Sequence, residues 1–121
     1  MPPLNDFYSI HDRIVAEKTL SCSLSFNAAH SIFNGHFPGN PIVPGVCTMQ
    51  IIMDLLQEAI GRQLRLSHAA NIKFMQLITP LIHPAVQISW TESEGMYTTS
   101  TILKNGEATL FKMNAVYAGE I

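Results

Sequence analysis

The sequence predicts an α+β domain in which an antiparallel sheet curls around one central helix, and three observations lead there. From Val46 to Ile60 there is no proline or glycine, and the polar residues Gln50, Asp54, Gln57 and Glu58 fall on a single stripe. Downstream, Asn71 to Leu77, Val86 to Glu92, Tyr97 to Lys104 and Ala108 to Tyr117 read as strands separated by His83-Pro84, Glu94-Gly95 and Asn105-Gly106. A chain of 121 residues is expected to form one domain over 1–121, burying roughly two-thirds of the surface it exposes unfolded. A helix apolar on so much of its circumference must be covered, and those strands are what is available to cover it.

In chain order, Leu4 to Asp12 reads as a short helix or an irregular arm. Between Arg13 and Phe26 apolar and polar residues alternate (Leu20, Cys22, Leu24 and Phe26 against Thr19, Ser21, Ser23 and Ser25), the period of a half-buried strand pair. Asn27 to Gly45 is a loop rich in proline and glycine. The central helix follows and ends at Gly61, placed where a left-handed C′ glycine belongs. Asn105-Gly106 favours a type I′ hairpin between the last two strands. One helix wrapped by an antiparallel sheet is the hotdog arrangement.

Composition removes several function classes. With 47% hydrophobic and 13% charged residues, the chain is lean in charge for a small monomer, so part of its apolar surface is expected to meet a partner, most simply a second copy of itself. A net charge of −2 and scattered Lys and Arg argue against nucleic acid. The start carries no basic segment followed by an apolar one, and no apolar run is long enough for a bilayer; a cytoplasmic protein without membrane insertion is expected. Cys22 and Cys47 lack zinc or redox spacing and read as reduced, buried thiols, with neither disulfide nor metal expected.

Chemistry concentrates in Gly35-His36-Phe37-Pro38-Gly39-Asn40-Pro41-Ile42-Val43-Pro44-Gly45-Val46. Three prolines bias Phe37, Asn40 and Val43 to extended backbone and make the loop stiff. A stiff loop holds the His36 imidazole, a base titrating near neutrality, beside a helix start whose unpaired N–H groups can receive a carbonyl oxygen. Gly45 leaves that approach open. Phe37, Pro44 and Val46 are positioned to contact a substrate or to pack the loop on the helix.

This run resembles the G-H-F-P-G-x-P-x-x-P-G-V signature of the hotdog 3-hydroxyacyl-ACP dehydratases of bacterial fatty-acid synthesis, the FabZ type. The resemblance implies a cofactor-free hydro-lyase that converts 3-hydroxyacyl to trans-2-enoyl thioesters. It implies a homodimer with sites at the subunit interface and acyl carrier protein or coenzyme A as the acyl carrier. It assigns His36 the removal of the C2 proton and the Gly45 N–H the polarisation of the thioester carbonyl. In that family a glutamate fourteen residues after the histidine, contributed by the other subunit, handles the departing hydroxyl; here that position holds Gln50. An amide offers hydrogen bonds but no transferable proton near neutral pH, and a missing general acid typically costs about 10²- to 10⁴-fold.

Asp54, one turn beyond Gln50, is then either a substitute acid or a carboxylate paired with N–H donors, and Gln50 either touches substrate or ties the helix to its neighbours. Two further readings stand beside the dehydratase: a hotdog acyl thioesterase, and a catalytically impaired acyl-thioester-binding subunit whose related partner supplies the acid.

Overall fold

A computed structural model describes Leu4 and residues 6–34 and 39–120. Strands β1 (Tyr8–Ala16) and β2 (Thr19–Phe26) form a hairpin; a 3-10 turn, Ser31–Asn34, precedes the helix α1 (Gly45–Ile60); β3 (Leu64–Phe74), β4 (Ala85–Ser93), β5 (Met96–Asn105) and β6 (Ala108–Gly119) complete the chain. All pairings are antiparallel, in the order β1-β2-β4-β5-β6-β3. This is the hotdog fold.

Strand period 2 decides which face meets the helix. Leu20, Cys22 and Leu24 of β2, Val86 and Ile88 of β4, Leu103 of β5, and Met113, Ala115 and Tyr117 of β6 point inward and are buried. They close on Cys47, Ile51, Ile52, Leu55 and Leu56 of α1 in one continuous core. Burying a Leu or Ile side chain is worth roughly 1.5–3 kcal/mol, so this contact dominates the folding energy. Gly61 ends α1 at φ 79°, ψ 27°, and its N–H donates to the Gln57 carbonyl at 2.8 Å. Burial pushes the Cys22 and Cys47 thiols above their ordinary value, which keeps them protonated and weakly nucleophilic.

Several elements differ from the sequence expectation. Tyr8 to Asp12 belongs to β1, because its register with β2 runs unbroken from Tyr8↔Phe26 to His11↔Ser23 before a bulge. The strand expected from Asn71 begins at Leu64 and carries two irregularities against β6, which break its hydrophobic alternation. The last hairpin closes on Gly106-Glu107, since Asn105 pairs with Ala108; Gly106 alone of the two has positive φ, 62°, the pattern of a type II′ rather than a type I′ turn. The I′ pattern lies one hairpin earlier, where Glu94 and Gly95 have φ of 52° and 77° between the paired Ser93 and Met96. A register shift in β5–β6 buries both Leu110 and Phe111, and the Leu110 carbonyl accepts from Met75 N–H at 2.8 Å and Gln76 N–H at 3.2 Å. That bulge pins the segment leaving β3.

Among the described residues, Thr101 Oγ1 is the buried side-chain oxygen with no hydrogen-bond partner. An unpaired buried hydroxyl costs about 1–3 kcal/mol. Thr101→Val, which keeps the shape and removes the hydroxyl, is expected to raise stability by about 1 kcal/mol in urea unfolding with unchanged m; a loss of stability would show that the hydroxyl is satisfied.

Candidate functional site

The helix start is built by sterics. Pro44 is the N-cap with extended φ −61°, ψ 143°, and it provides no side-chain cap. Its carbonyl accepts from Cys47 N–H at 2.9 Å and Thr48 N–H at 3.1 Å. The N–H groups of Gly45 and Val46 precede any intrahelical acceptor, so they point out of the helix end with its partial positive charge behind them. Upstream, Val43 is buried and its N–H donates to the Ile78 carbonyl at 2.7 Å, which fixes the direction of entry.

Gly45 also makes a close contact that its motif does not reveal. A Cβ there would lie 2.8 Å from Cζ and 3.1 Å from Cε1 of Phe74, at the end of β3. The Phe74 ring is braced by Phe111 at a centroid distance of 4.8 Å. The aromatic pair thus forms a wall against the helix tip, and Val46, 61% exposed, stands beside it.

The polar stripe of α1 is a row of specific contacts. Gln50 Nε2 donates to Asp54 Oδ1 at 2.9 Å, and Tyr8 of β1 donates its hydroxyl to Asp54 Oδ2 at 3.2 Å. Gln57 Oε1 accepts from Leu64 N–H at 2.9 Å, and Glu58 pairs with Arg13 of β1. Gln50, Asp54 and Tyr8 are half-buried, whereas Arg13 and Glu58 are solvated and contribute little to stability. Burial first, then the Asp54 carboxylate, pushes the Tyr8 phenol well above its ordinary value, so it stays a donor.

Of the sequence-selected residues, Pro44, Gly45 and Val46 gather at the helix start, and Gln50 and Asp54 are hydrogen-bonded to each other one turn further along. His36 and Phe37 lie outside the described residues. Gln50 lies about 7.5 Å along the helix axis from Gly45. Tyr8 was not selected from sequence; its only signal is an aromatic residue at the head of an alternating segment. His30 is half-buried, accepts from Ile32 N–H at 3.1 Å through Nδ1, and meets the Phe7 ring edge-on at 5.2 Å. Inside the sheet, Phe26, Thr48, Ile51, Ile78 and Leu103 among others line an apolar seam too tightly packed to hold a water molecule.

Two outcomes follow from this geometry. Gly45→Ala is expected to cost about 1–3 kcal/mol, and part of that cost should vanish in a Phe74→Leu background, a coupling of at least about 0.5 kcal/mol by double-mutant unfolding. Additive effects would remove the ring from the explanation. The raised Tyr8 phenol and that of Tyr117, pushed up to about 12 by burial, stay protonated longer folded than unfolded. Their contribution is therefore complete below pH about 10 and is lost as pH rises beyond it. Urea midpoints should fall above pH about 10, less steeply in Tyr8→Phe; an identical slope in the variant would contradict the assignment.

The family model of ApeI-like proteins, described as ApeI dehydratase, matches residues 12–111. The 3-hydroxyacyl-[acyl-carrier-protein] dehydratase FabZ of Legionella pneumophila is 29% identical over 83 residues, 60% of this chain and 51% of that protein. FabZ of Lactococcus lactis is 32% identical over 76 residues, 57% and 46% of the two chains. The chain spans about half the length of the curated relatives it matches. Among solved structures, the dehydratase heterocomplex ApeI:P from Xenorhabdus doucetiae superposes with a TM-score of 0.76 at 21% identity, covering 91% of this chain and 96% of that one. A hypothetical thioesterase with coenzyme A from Streptococcus pneumoniae has a TM-score of 0.67 at 10% identity, covering 95% and 90%, and shares the fold. With its helix start, its FabZ-like motif and a family match across most of its length, this chain belongs to the ApeI-like dehydratase family.

Proposed function

We propose that this protein is a hydro-lyase that removes water from 3-hydroxyacyl thioesters to give trans-2-enoyl thioesters. The observation that carries the reading is the uncapped helix start at Pro44-Gly45 directly after the histidine motif, in a chain of a dehydratase family. In this reading the thioester carbonyl accepts from Gly45 N–H, which stabilises the enolate-like charge that develops as the C2 proton leaves. His36 takes that proton. Pro44, Val46 and Phe37 border the thioester.

The hydroxyl departs without a carboxylic acid at position 50. Gln50 has no proton to give, and both Asp54 oxygens already accept hydrogen bonds. His36 therefore returns the C2 proton to the departing oxygen: the C2–H and C3–O bonds break, the C2–C3 double bond forms, and water leaves with the same proton. Gln50 holds the hydroxyl in place.

A second hotdog chain completes the site. In the resemblance, one chain's helix tip pairs with the residue at position 50 of the other chain. The outer edge of β3 is unpaired within the sheet, and Val46, Phe74 and Leu77, 61%, 54% and 69% exposed, form an apolar border beside it. A homodimer joined along this edge is the simplest assembly, and the acyl carrier is acyl carrier protein or coenzyme A.

The test is an assay of a 3-hydroxyacyl thioester followed by the conjugated enoyl absorbance. Enoyl formation is expected, abolished by His36→Ala and raised at least about tenfold by Gln50→Glu, which restores a protonatable acid beside Asp54. Release of free thiol without enoyl product would instead identify a thioesterase. Turnover unchanged in Gln50→Glu would show that proton supply is not what limits the native chain.

A further inference from the structure

We infer that His30 is a positioning residue for His36: its imidazole caps, through Nδ1, the 3-10 turn from which the chain runs into the histidine motif. The inference rests on the proposed hydro-lyase reading, in which His36 moves the proton, and adds to it a group that sets where His36 stands.

Residues 27–34 form successive turns, each closed by its first residue. Asn27 closes the first: its Oδ1 accepts from Ala29 N–H at 3.1 Å and its carbonyl from His30 N–H at 3.0 Å. His30 closes the next, Ser31–Asn34, in the same way: its carbonyl accepts from Phe33 N–H at 3.1 Å and its Nδ1 from Ile32 N–H at 3.1 Å. The imidazole does here what an Asn or Ser side chain does at a helix N-cap. A backbone N–H only donates, so this bond assigns Nδ1 as the bare nitrogen and puts the ring proton on Nε2.

The turns are held to the first hairpin. Asn27 Nδ2 donates to the Asp6 carbonyl and Asn27 N–H to the Phe7 carbonyl, both at 2.9 Å. Phe7, fully buried, stacks on Phe33 at a centroid distance of 5.2 Å and meets the His30 ring edge-on, also at 5.2 Å. Phe26, the last residue of β2, packs edge-on against Phe7 at 5.7 Å. One phenylalanine therefore steadies both the imidazole that supplies the acceptor and the aromatic residue inside the turn it closes. An Asn at position 30 would supply the acceptor without the ring, and a Phe the ring without the acceptor; histidine supplies both.

Reach connects this cap to the reaction. His36 follows Asn34 by two residues, a span of at most about 7 Å, so the turn bounds where the His36 imidazole can be placed. A misplacement of about 1 Å can cost about 10²-fold in rate. Pro38, Pro41 and Pro44 restrict the chain after His36, and the capped turn restricts it before.

The experiment combines turnover of a 3-hydroxyacyl thioester with the NMR spectrum of the imidazole nitrogens in the intact protein. At pH about 8, above the ordinary range of imidazole titration, the His30 signals, identified by their loss in the variants, should show a single Nε2–H tautomer. His30→Phe, which keeps a ring against Phe7 and removes the acceptor, should lower kcat at least about tenfold with KM changed less than about threefold. His30→Asn, whose Oδ1 stands as many bonds from the backbone as Nδ1, should return kcat to within about threefold of wild type. His30→Gln, which moves the acceptor one bond outward, should behave like His30→Phe and replaces it should that variant not fold. Rates are referred to the folded fraction measured by circular dichroism. A Nδ1–H or averaged tautomer in wild type would overturn the cap and the inference with it. Equal kcat in all variants, or equal loss in His30→Asn and His30→Phe, would overturn the positioning role, because neither follows the acceptor. Lower stability with kcat per folded molecule unchanged would mark a merely structural turn and overturn it likewise. Those results leave the hydro-lyase reading standing where wild type turns over; absence of enoyl product from wild type overturns that reading and this inference together.

Discussion

Enclosure of α1 by the sheet is the constraint from which the other features follow. A helix with Ile51, Ile52, Leu55 and Leu56 buried on one side, and Met49, Met53, Ala59 and Ile60 packed at its margins, has only a narrow strip left for polar groups. Every polar residue on that strip is put to use. Gln57 receives the N–H of Leu64 and so fixes the reversal into β3, Glu58 meets Arg13, and Gln50 and Asp54 are tied to β1 through Tyr8. The polar contacts add little to the burial energy of the helix, but they fix its rotation and translation relative to the strands. The amide groups at the helix start and the Gln50 side chain, the groups proposed to act, inherit their positions from that placement.

At the tip of the helix, packing and the proposed chemistry use the same atoms. Without a side chain, Gly45 lets the Phe74 ring close against the backbone, and Phe111 supports the ring from the neighbouring strand. The first N–H groups of the helix then emerge beside an aromatic wall rather than under a capping side chain. A Ser or Asp cap would stabilise the helix by about 1 kcal/mol and would occupy the place proposed for the thioester carbonyl. Proline at the cap offers those donors no side-chain acceptor, which is consistent with the proposed binding of a carbonyl there.

Much of this was legible in the sequence. The Pro44-Gly45 start, the glycine-terminated helix and the wrapping sheet follow from proline chemistry, glycine placement and hydrophobic period. What was hidden has physical reasons. Leu64 to Ala70 did not read as strand because Arg65, Ser67 and His68 sit on an edge with irregular register, where alternation is weakly enforced. The reach of β1 to Tyr8 was hidden because β1 is an exposed edge strand with few inward side chains. The inward turn of Leu110 depends on a bulge, and the orientation of Gln50 on a tyrosine far away in sequence. Both are tertiary facts. Gly45 was identified from its motif, but its close contact with Phe74 was not, because β3 returns to the helix tip only in the folded chain.

The most direct measurement is a crystal structure of the protein with an unreactive 3-hydroxyacyl pantetheine amide. The carbonyl oxygen should lie about 3 Å from the Gly45 nitrogen at the helix tip. A ligand whose carbonyl rests elsewhere, with the Gly45 N–H facing solvent or protein, would contradict the assignment of the helix start as the acyl-binding centre.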